Sequence, residues 1–591
     1  MKRGGKDMAD DIIFLHAPSV YDFRKKPIFY GPVSDVVPSS PVFEMYPIGF
    51  MTMSSHLEAA GFKTRIVNIA VQMLQNKNFD VEKRIKSLHA KVYAIDLHWM
   101  PHCHGAVELA KVVKKYHPDA IVEFGGFSSS YFCEELMAMP WIDMVMRGDS
   151  TEIPHVKMMQ AIEKGATDFS DVPNLAWKDK EGKPHYNEIS FVPDDIDWVK
   201  FDYGTMIKNT IRHMDIKGAL PWLGWDKLPM LSVFTVRGCS LNCAECGGSH
   251  EANKRLLCRG KAAFRSPEKL AEDIASVSEY LKTPIFIIGD PRQGGKDYAE
   301  RLFKGIHDSG VDNHIAFELF LPAGEEFFSM VNHNVGEYSM EFSPDSHDEI
   351  VRLAMGKGYD NHSIEKTITS SFANGCVRFD LFYMTGLPSQ TRESALDSVR
   401  ASKGLWDLVK KDDGLFIYNA PFAPFVDPGS RAFENPEKWG YRFFARTLEE
   451  HRKISENPSW KLVLSYETKW MNRDQIAETS YDCANELAKM EFEAGRIPEE
   501  MYKARVERTE YARDVMRRVD EFMLIKDEAE RNEKLWSIKR EGEELMNSTI
   551  NNKKDLDWNT GSIWANGPRV VKGLVKSYLP LNRGKRRMTQ Q

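Results

Sequence analysis

Short apolar runs alternate with helix-like segments in two long blocks, and this alternation restricts the fold more than any other feature of the sequence. In the first block the strand-like runs are Ile12–His16, Thr64–Ile69, Val92–Asp96, Ala120–Phe124 and Met144–Arg147. Apolar runs of this length, separated by helices, are typical of a parallel, doubly wound sheet. The sequence therefore predicts an α/β domain in the N-terminal part of the chain.

The second block begins at Met230 and repeats the same alternation. Its strand-like runs are Leu231–Val236, Pro284–Ile288, Ile315–Phe320, Glu337–Phe342, Arg378–Met384 and Gly414–Tyr418. Six successive β/α units predict a partial or complete barrel. In parallel α/β folds the functional groups lie at the C-terminal ends of the strands, so motifs that directly follow these runs are the candidates for chemistry.

The parts outside the two blocks have different patterns. The segment NLAWKDKEGKPHYNEIS predicts a hairpin about a Glu181-Gly182 turn, and the stretch Val192–Trp198 predicts a domain boundary. Beyond about Gly440, charged residues at helical spacing predict a helical region. We divide the chain into residues 1–170, a hairpin and linker at 171–229, a barrel at 230–430, and a helical region with a basic tail at 431–591.

Composition excludes several classes of protein. The 591 residues include 86 acidic and 79 basic side chains, and the resulting net charge of −7 argues against general nucleic-acid binding. No apolar run reaches the roughly 18 residues that a membrane-spanning helix needs, and the N-terminus does not resemble a secretory signal. Eight cysteines are too few for a disulfide scaffold in a chain of this length. We therefore expect a cytoplasmic, globular protein.

Three of the eight cysteines lie close together in the segment TVRGCSLNCAECGGSH, directly after the first strand of the second block. Cys239, Cys243 and Cys246 have the spacing C-x3-C-x2-C. Thiolates are soft ligands that suit iron–sulfur clusters and zinc. The neighbouring glycines let the backbone wrap closely around a bulky group.

The residues alone leave two interpretations of this cysteine group. A structural zinc site needs four ligands and often uses two C-x2-C pairs, but no second pair exists. His250 or Cys258 remains as a fourth zinc ligand. Three cysteines on a four-iron cluster would instead leave one iron open to a substrate or cofactor.

The spacing CxxxCxxC at the end of a barrel strand resembles the signature of the radical S-adenosylmethionine (SAM) superfamily. The resemblance implies a 4Fe-4S cluster held by Cys239, Cys243 and Cys246, with SAM on the open iron. Reductive cleavage of SAM would then give a 5′-deoxyadenosyl radical, with electrons from an external donor of the ferredoxin or flavodoxin type. The sequence departs from the family at Glu245, where an aromatic residue that packs near the adenine is usual.

Three segments downstream of the cysteines resemble the same superfamily. In IIGDP, Asp290 stands where the family often has a polar residue near the SAM amino group. MEFSPDSHDEIVRLAMGKG resembles the family segment "ESG…L…M.KG", which implies that Glu341 and Ser343 lie near the ribose or methionine part of SAM. FYMTGLPSQT resembles the family turn "G.PGET". The alternative role of Asp290 or Glu341 is that of a helix cap or an exposed carboxylate.

The first block resembles the cobalamin-binding domain that precedes many radical SAM domains. The similarity runs through YPIGFMTMSSHLEAAGFKTRIVNIA, HPDAIVEFGGFSSS and IDMVMRGDSTE, over roughly residues 10–165. It implies that Gly125, Gly126 and Gly148, at the ends of two strands, lie against cobalamin. A dinucleotide site is disfavoured because the first strand is followed by HAPSVYDF rather than G-x-G-x-x-G.

The loop DLHWMPHCHG, after the third strand, is rich in histidine. It resembles the D-x-H-x-x-G element of cobalamin enzymes in which a histidine binds cobalt, although the glycine stands elsewhere and the loop follows a different strand. His98 is therefore either a cobalt ligand or part of a loop that lines the corrin. A separate zinc site is the third alternative.

Together these resemblances predict an α/β protein with an N-terminal Rossmann-like cobalamin-binding domain, a central partial (β/α) radical SAM barrel and an α-helical C-terminal region. The implied activity is methylation of an unactivated carbon from methylcobalamin. Radical cyclisation or ring rearrangement with the same cofactors is the alternative, and a cobalamin or iron–sulfur sensor without catalysis is a third. The implied substrate is a small molecule or a lipid. The basic tail Pro568–Gln591 is either solvated or in contact with an anionic membrane surface.

Overall fold

The structure is a computed structural model that describes residues 9–29, 42–409, 414–542, 567–569 and 571–572. Its strands are β1 (Asp10–His16), β2 (Thr64–Asn68), β3 (Ala90–Asp96), β4 (Ile121–Gly125), β5 (Met144–Met146), β6 (Leu175–Lys178), β7 (Pro184–Tyr186), β8 (Leu231–Phe234), β9 (Val236–Arg237), β10 (Ala263–Phe264), β11 (Ile285–Ile288), β12 (Ile315–Leu319), β13 (Tyr338–Asp345), β14 (Arg378–Thr385), β15 (Leu415–Pro421), β16 (Tyr441–Phe443) and β17 (Tyr466–Thr468).

The α-helices follow the strands in the order that the sequence pattern predicts. They are α1 (Gly49–Ala59), α2 (Ile69–Gln75), α3 (Val81–Ser87), α4 (Cys103–Tyr116), α5 (Phe127–Tyr131), α6 (Cys133–Met137), α7 (Glu152–Glu163), α8 (Tyr203–His213), α9 (His250–Leu256), α10 (Pro267–Ser278), α11 (Lys296–Asp308), α12 (Glu325–Asn334), α13 (Glu349–Ala354), α14 (Asn361–Ala373), α15 (Arg392–Arg400), α16 (Ser402–Leu408), α17 (Arg431–Glu434), α18 (Pro436–Trp439), α19 (Leu448–Ser455), α20 (Trp460–Val463), α21 (Arg473–Glu493), α22 (Glu499–Met523) and α23 (Glu528–Gly542).

The N-terminal sheet has the strand order β2-β1-β3-β4-β5-β6-β7, and its first five strands are parallel. The chain crosses from one side of β1 to the other between β2 and β3, so β1 and β3 flank the switch point of a doubly wound sheet. Apolar side chains cover both faces, with α1 and α7 on one side and α4 on the other. The predicted α/β domain is confirmed.

The hairpin predicted around Glu181-Gly182 forms β6 and β7, and it continues the N-terminal sheet. β6 pairs antiparallel with β5, so that Met144 faces Trp177. Leu175 and Ala176 are fully buried in this arrangement. The hairpin pattern is visible in the sequence, but the sheet edge that the hairpin joins is set by these buried contacts between distant segments.

The second sheet has the order β15-β14-β13-β12-β11-β8, and all its strands are parallel. Each strand lies beside the strand that precedes it in this series, which is the arrangement of an open partial barrel. The core between these strands and the surrounding helices is rich in aromatic and branched residues. The predicted partial barrel is confirmed.

The C-terminal region is mainly helical and packs on both preceding domains. Helix α21 begins at a capping box between Asn472 and Gln475, and its Cys483 and Leu487 enter the barrel core. Arg452 of α19 binds Glu108 of α4 at 2.7 Å. The antiparallel pair of β16 and β17 also belongs to this region and was not predicted. Most of the basic tail lies outside the described residues, and none of the described helices is long and apolar enough to cross a membrane.

Candidate active site

A cavity of about 720 Å³ lies between the C-terminal ends of the N-terminal strands and those of the barrel strands. We call its two sides the N-terminal wall (lining residues 14–155) and the barrel wall (lining residues 234–427). Cys239, Cys243 and Cys246 all line the barrel wall. The two predicted functional edges therefore face one shared space.

The three cysteines lie on a loop that follows the short strand β9. The backbone N–H of Leu241 donates to Cys239 Sγ at 3.3 Å, and the Cys239 thiol lies 3.8 Å from Gln293 Oε1. Cys246 is exposed, but to the cavity that it lines. A Cβ on Gly248 would lie 3.6 Å from Cys246 Sγ, so glycine leaves room beside this sulfur. Burial raises the pKa of all three thiols.

The separation of the three sulfurs favours a bulky cluster over a single zinc ion. Tetrahedral zinc with Zn–S bonds of about 2.3 Å needs sulfurs about 3.8 Å apart. Among the described residues, the three Sγ atoms do not all lie within 4.8 Å of one another. His250 and Cys258, the suggested fourth zinc ligands, are not among the residues that line the cavity. The donor set thus fits an iron–sulfur cluster.

Glu245, the residue that departs from the family pattern, is buried and lines the cavity. Burial, together with nearby Asp345, raises the pKa of its carboxyl group to about 8. The Tyr441 hydroxyl lies 3.3 Å from Glu245 Oε1 and donates to it, whereas Oε2 has no partner among the described residues. The antiparallel pair of β16 and β17 thus brings an aromatic ring beside Glu245.

Two carboxylates on neighbouring barrel strands form an acidic part of the barrel wall. Glu318 on β12 faces Glu341 on β13 in the strand register. Glu318 Oε2 accepts the backbone N–H of Gly289 at 2.9 Å, and burial raises the Glu318 pKa to about 7. Glu341 is 6% exposed, and its Oε2 has no partner in the described part of the chain. Its pKa is raised well above the usual range by burial and by Asp380 and Glu318.

Replacement of Glu318 by glutamine should remove a pH-dependent penalty on folding. The pKa of the buried carboxyl is about 7 against 4.5 for the free group, so the folded state loses stability as pH rises from 4.5 to 7. Relative to wild type, the free energy of unfolding of Glu318→Gln should therefore increase by roughly 1–3 kcal/mol as pH rises across this window. Urea unfolding of both apoproteins across the window measures the gain. A constant difference between them would show that Glu318 ionises normally.

The other predicted residues of the barrel wall occupy two different environments. Ser343 lines the cavity, and its backbone carbonyl accepts Lys357 Nζ at 2.6 Å. Lys357 also binds Asp345 at 2.7 Å. Burial opposes its charge, but Asp345 and the cysteines outweigh burial and raise the Lys357 pKa. Asp290 is not among the cavity-lining residues: it caps the 3₁₀ turn Pro291–Gly294 and binds Arg292.

The N-terminal wall contains Gly125, Gly126, Gly148 and His98, as the sequence indicates. Gly126 has φ +113° and ψ 174°, a conformation that is essentially restricted to glycine. A Cβ there would lie 2.5 Å from His98 Cα. Phe14 and Ala94 on the strands and Phe50 and Met53 on α1 add apolar side chains to this lining. The glycines leave the strand ends open to the close approach of a large, flat ligand.

Replacement of Gly126 by alanine should destabilise the N-terminal domain. The backbone conformation alone costs about 1–3 kcal/mol for a residue with a side chain, and the clash with the His98 backbone adds to this. Gly61→Ala is the matched control, because Gly61 has φ +97° but no atom within 4 Å of its added Cβ. Thermal unfolding should therefore show a clearly larger loss of stability for Gly126→Ala than for Gly61→Ala. Equal losses of stability would contradict close packing of Gly126 against His98.

Sequence reasoning missed the ion pairs that join the two walls. Arg237 beside the cysteine loop binds Glu152 at the start of α7, and Arg259 binds Asp149. Arg259 also donates to the Pro193 carbonyl at 3.1 Å. All four charged side chains are largely buried. Because each pair joins segments far apart in sequence, no local pattern indicates the pairs. Asp149 does, however, directly follow Gly148, which the resemblance to cobalamin-binding domains indicated.

Comparison with known proteins identifies the N-terminal domain and relates the fold of the chain to solved structures. The model of the B12 binding domain family matches residues 35–156. No curated protein matches the chain. The chain shares the fold of solved cobalamin-binding radical SAM enzymes, as its motifs predict.

Two solved structures illustrate this likeness. The radical SAM methyltransferase TsrM from Kitasatospora setae, with tryptophan substrate and a SAM analogue bound, is 13% identical, with a TM-score of 0.52 over 73% of this chain and 78% of that chain. The cobalamin-dependent SAM radical enzyme OxsB in its apo form is 10% identical, with a TM-score of 0.50 over 96% of this chain and 80% of that chain. At these identities the likeness is one of fold.

Proposed function

We propose that this protein is a cobalamin-dependent radical SAM enzyme that methylates an unactivated carbon of a small molecule. The observation that carries the proposal is the shared cavity. Three cysteines with CxxxCxxC spacing line one wall, and the strand ends of a domain that matches the B12 binding family line the other. The TsrM and OxsB structures, whose fold it shares, support the same class of enzyme.

Each wall would hold its own cofactor. Cys239, Cys243 and Cys246 are the cluster ligands in this proposal, and the glycine-lined N-terminal wall receives the corrinoid. When bound, the cluster and SAM supply a deoxyadenosyl radical that takes a hydrogen atom, and the corrinoid supplies the methyl group. The protein itself contributes ligands, orientation and the buried ion pairs that join the two domains.

Several polar groups of the barrel wall are suited to SAM. Glu318 and Glu341 offer buried acceptor oxygens to its ammonium or hydroxyl groups, and Glu341 Oε2 is without a partner among the described residues. Lys357 adds a buried cation that offsets the charge of the cysteine thiolates. A buried acceptor left without a donor is costly, so binding of a donor there would be favoured.

Product analysis tests the proposed activity. Full-length protein, reconstituted with iron, sulfide and cobalamin in the absence of oxygen, is incubated with SAM and dithionite. We expect 5′-deoxyadenosine to form, and S-adenosylhomocysteine to accompany it when an extract of small molecules is added as the substrate source. Deoxyadenosine without S-adenosylhomocysteine under those conditions would favour cyclisation or rearrangement over methylation. Absence of both products would overturn the proposal and favour a sensor.

A further inference from the structure

A cluster of histidines lies at the switch point of the N-terminal sheet, at the ends of β1 and β3. His16 Nδ1 binds Asp96 at 3.0 Å, and His16 Nε2 lies 3.0 Å from the Phe43 carbonyl. His98 Nδ1 lies 2.5 Å from the same Asp96 carboxylate. His102 Nε2 lies 2.7 Å from the Phe43 carbonyl. The cluster is thus a connected hydrogen-bond network around one buried aspartate.

His98 is the member of this network that remains available to a ligand. Both ring nitrogens of His16 face oxygen acceptors, and so do both ring nitrogens of His102. His98 Nε2 has no hydrogen-bond partner among the residues that the structure describes. His98 also lines the cavity and is 27% exposed, whereas His16 and His102 are buried outside the cavity lining.

The orientation of His98 is fixed on two sides. The Nδ1–H of His98 donates a hydrogen bond to Asp96, because a carboxylate can only accept one, and the neutral ring then carries its lone pair on Nε2. The backbone is held as well, since Gly126 packs against His98 Cα and the Leu97 N–H donates to the Gly125 carbonyl at 2.8 Å. A histidine whose second nitrogen donates to a carboxylate is the usual arrangement of a metal-binding imidazole.

We propose that His98 Nε2 is an axial ligand of the cobalt in the corrinoid, with Asp96 as its positioning residue. This inference rests on the proposed function, because it requires a corrinoid in the cavity. The ligand comes from the N-terminal wall, while the cysteines belong to the barrel wall. Imidazole nitrogen is a suitable ligand for cobalt. His16, Asp96 and His98 also offer atoms within 4.8 Å of one another. The alternative is therefore that these three residues bind a separate metal ion.

Electron paramagnetic resonance (EPR) of the reduced cobalamin state tests this ligation directly. Full-length protein loaded with cobalamin and reduced to cob(II)alamin should show each cobalt hyperfine line split into a triplet by one nitrogen. In protein labelled with ¹⁵N-histidine the triplets should become doublets. Unchanged triplets would mean that the nucleotide base of cobalamin is the ligand, and unsplit lines would mean no nitrogen ligand. Either result would overturn the inference but leave cobalamin binding intact.

Two variants and one further outcome complete the test. His98→Gln should lose the nitrogen splitting while it keeps cobalamin. His155→Gln is the matched control and should keep the splitting, because His155 also lines the cavity but its ring nitrogens bind Glu123 and the Thr151 carbonyl. Asp96→Asn should lower the fraction of cobalt that shows splitting at unchanged cobalamin content.

A protein that binds no cobalamin at all would instead contradict the proposed function, and zinc retained in that protein would identify the separate metal site.

Discussion

Replacement of Cys243 by alanine is expected to abolish cluster binding and SAM cleavage together. The three thiolates of the barrel wall are the cluster ligands in our proposal, and two cysteines cannot hold a four-iron cluster in this site. Of the described cysteines, no further one lines the cavity. Iron and sulfide content, visible absorption and deoxyadenosine formation should all fall to background in the reconstituted variant.

Cys258→Ala is the matched control for this experiment. Cys258 lies on the chain shortly after the cysteine loop and is exposed, but it does not line the cavity. The control should therefore keep iron, absorption and SAM cleavage at wild-type levels. A four-iron spectrum in Cys243→Ala, or its loss in Cys258→Ala, would contradict the ligand assignment. Circular dichroism of both apoproteins separates loss of the cluster from loss of the fold.

The second large effect is expected from Arg259→Met, which breaks a buried ion pair between the two walls. Arg259 is 1% exposed and binds both carboxylate oxygens of Asp149, the Ser150 hydroxyl and the Pro193 carbonyl. Its removal leaves the buried Asp149 carboxylate without its ion-pair partner. Breaking such a pair costs about 3–5 kcal/mol of the free energy of unfolding. Urea unfolding of the apoprotein measures this loss.

Two further variants identify the cause of that loss. Arg400→Met removes the ion pairs of a largely exposed arginine with Glu393, Asp397 and Glu486, and it should cost only about 1 kcal/mol because solvent screens these charges. The double variant Arg259→Met/Asp149→Leu removes both charges, so it should be more stable than Arg259→Met alone. A double variant that is less stable than Arg259→Met would mean that packing, rather than an unpaired charge, explains the effect.

The strands could be predicted because their apolar runs are short and are bounded by polar turns. Predicted Arg378–Met384 corresponds to β14 at Arg378–Thr385, and predicted Thr64–Ile69 corresponds to β2 at Thr64–Asn68. The antiparallel pair of β16 and β17 was missed because each strand has only three residues and lies within a charged, helical region. Local pattern therefore gives the elements of the two large sheets but not the small pairings between remote segments.

The candidate site likewise has residues that the sequence identifies and contacts that it does not. The three cysteines could be identified because one loop carries all of them, and the glycines at the strand ends because the edge of a parallel sheet is known in advance. The contacts that each side chain makes could not be predicted in this way. Asp290 was predicted either near SAM or as a cap or exposed carboxylate, and it caps the turn Pro291–Gly294 and binds Arg292. Glu245 contacts Tyr441, and Arg259 binds Asp149, across long separations in sequence. Such contacts depend on the tertiary fold.

The metal content of full-length protein purified without oxygen tests the central claim most directly. The account predicts about four iron atoms and one cobalt per chain, since one 4Fe-4S cluster and one corrinoid would share the cavity. Elemental analysis by mass spectrometry measures both metals and zinc in one sample. Protein that holds zinc, with neither iron nor cobalt after reconstitution, would contradict the account.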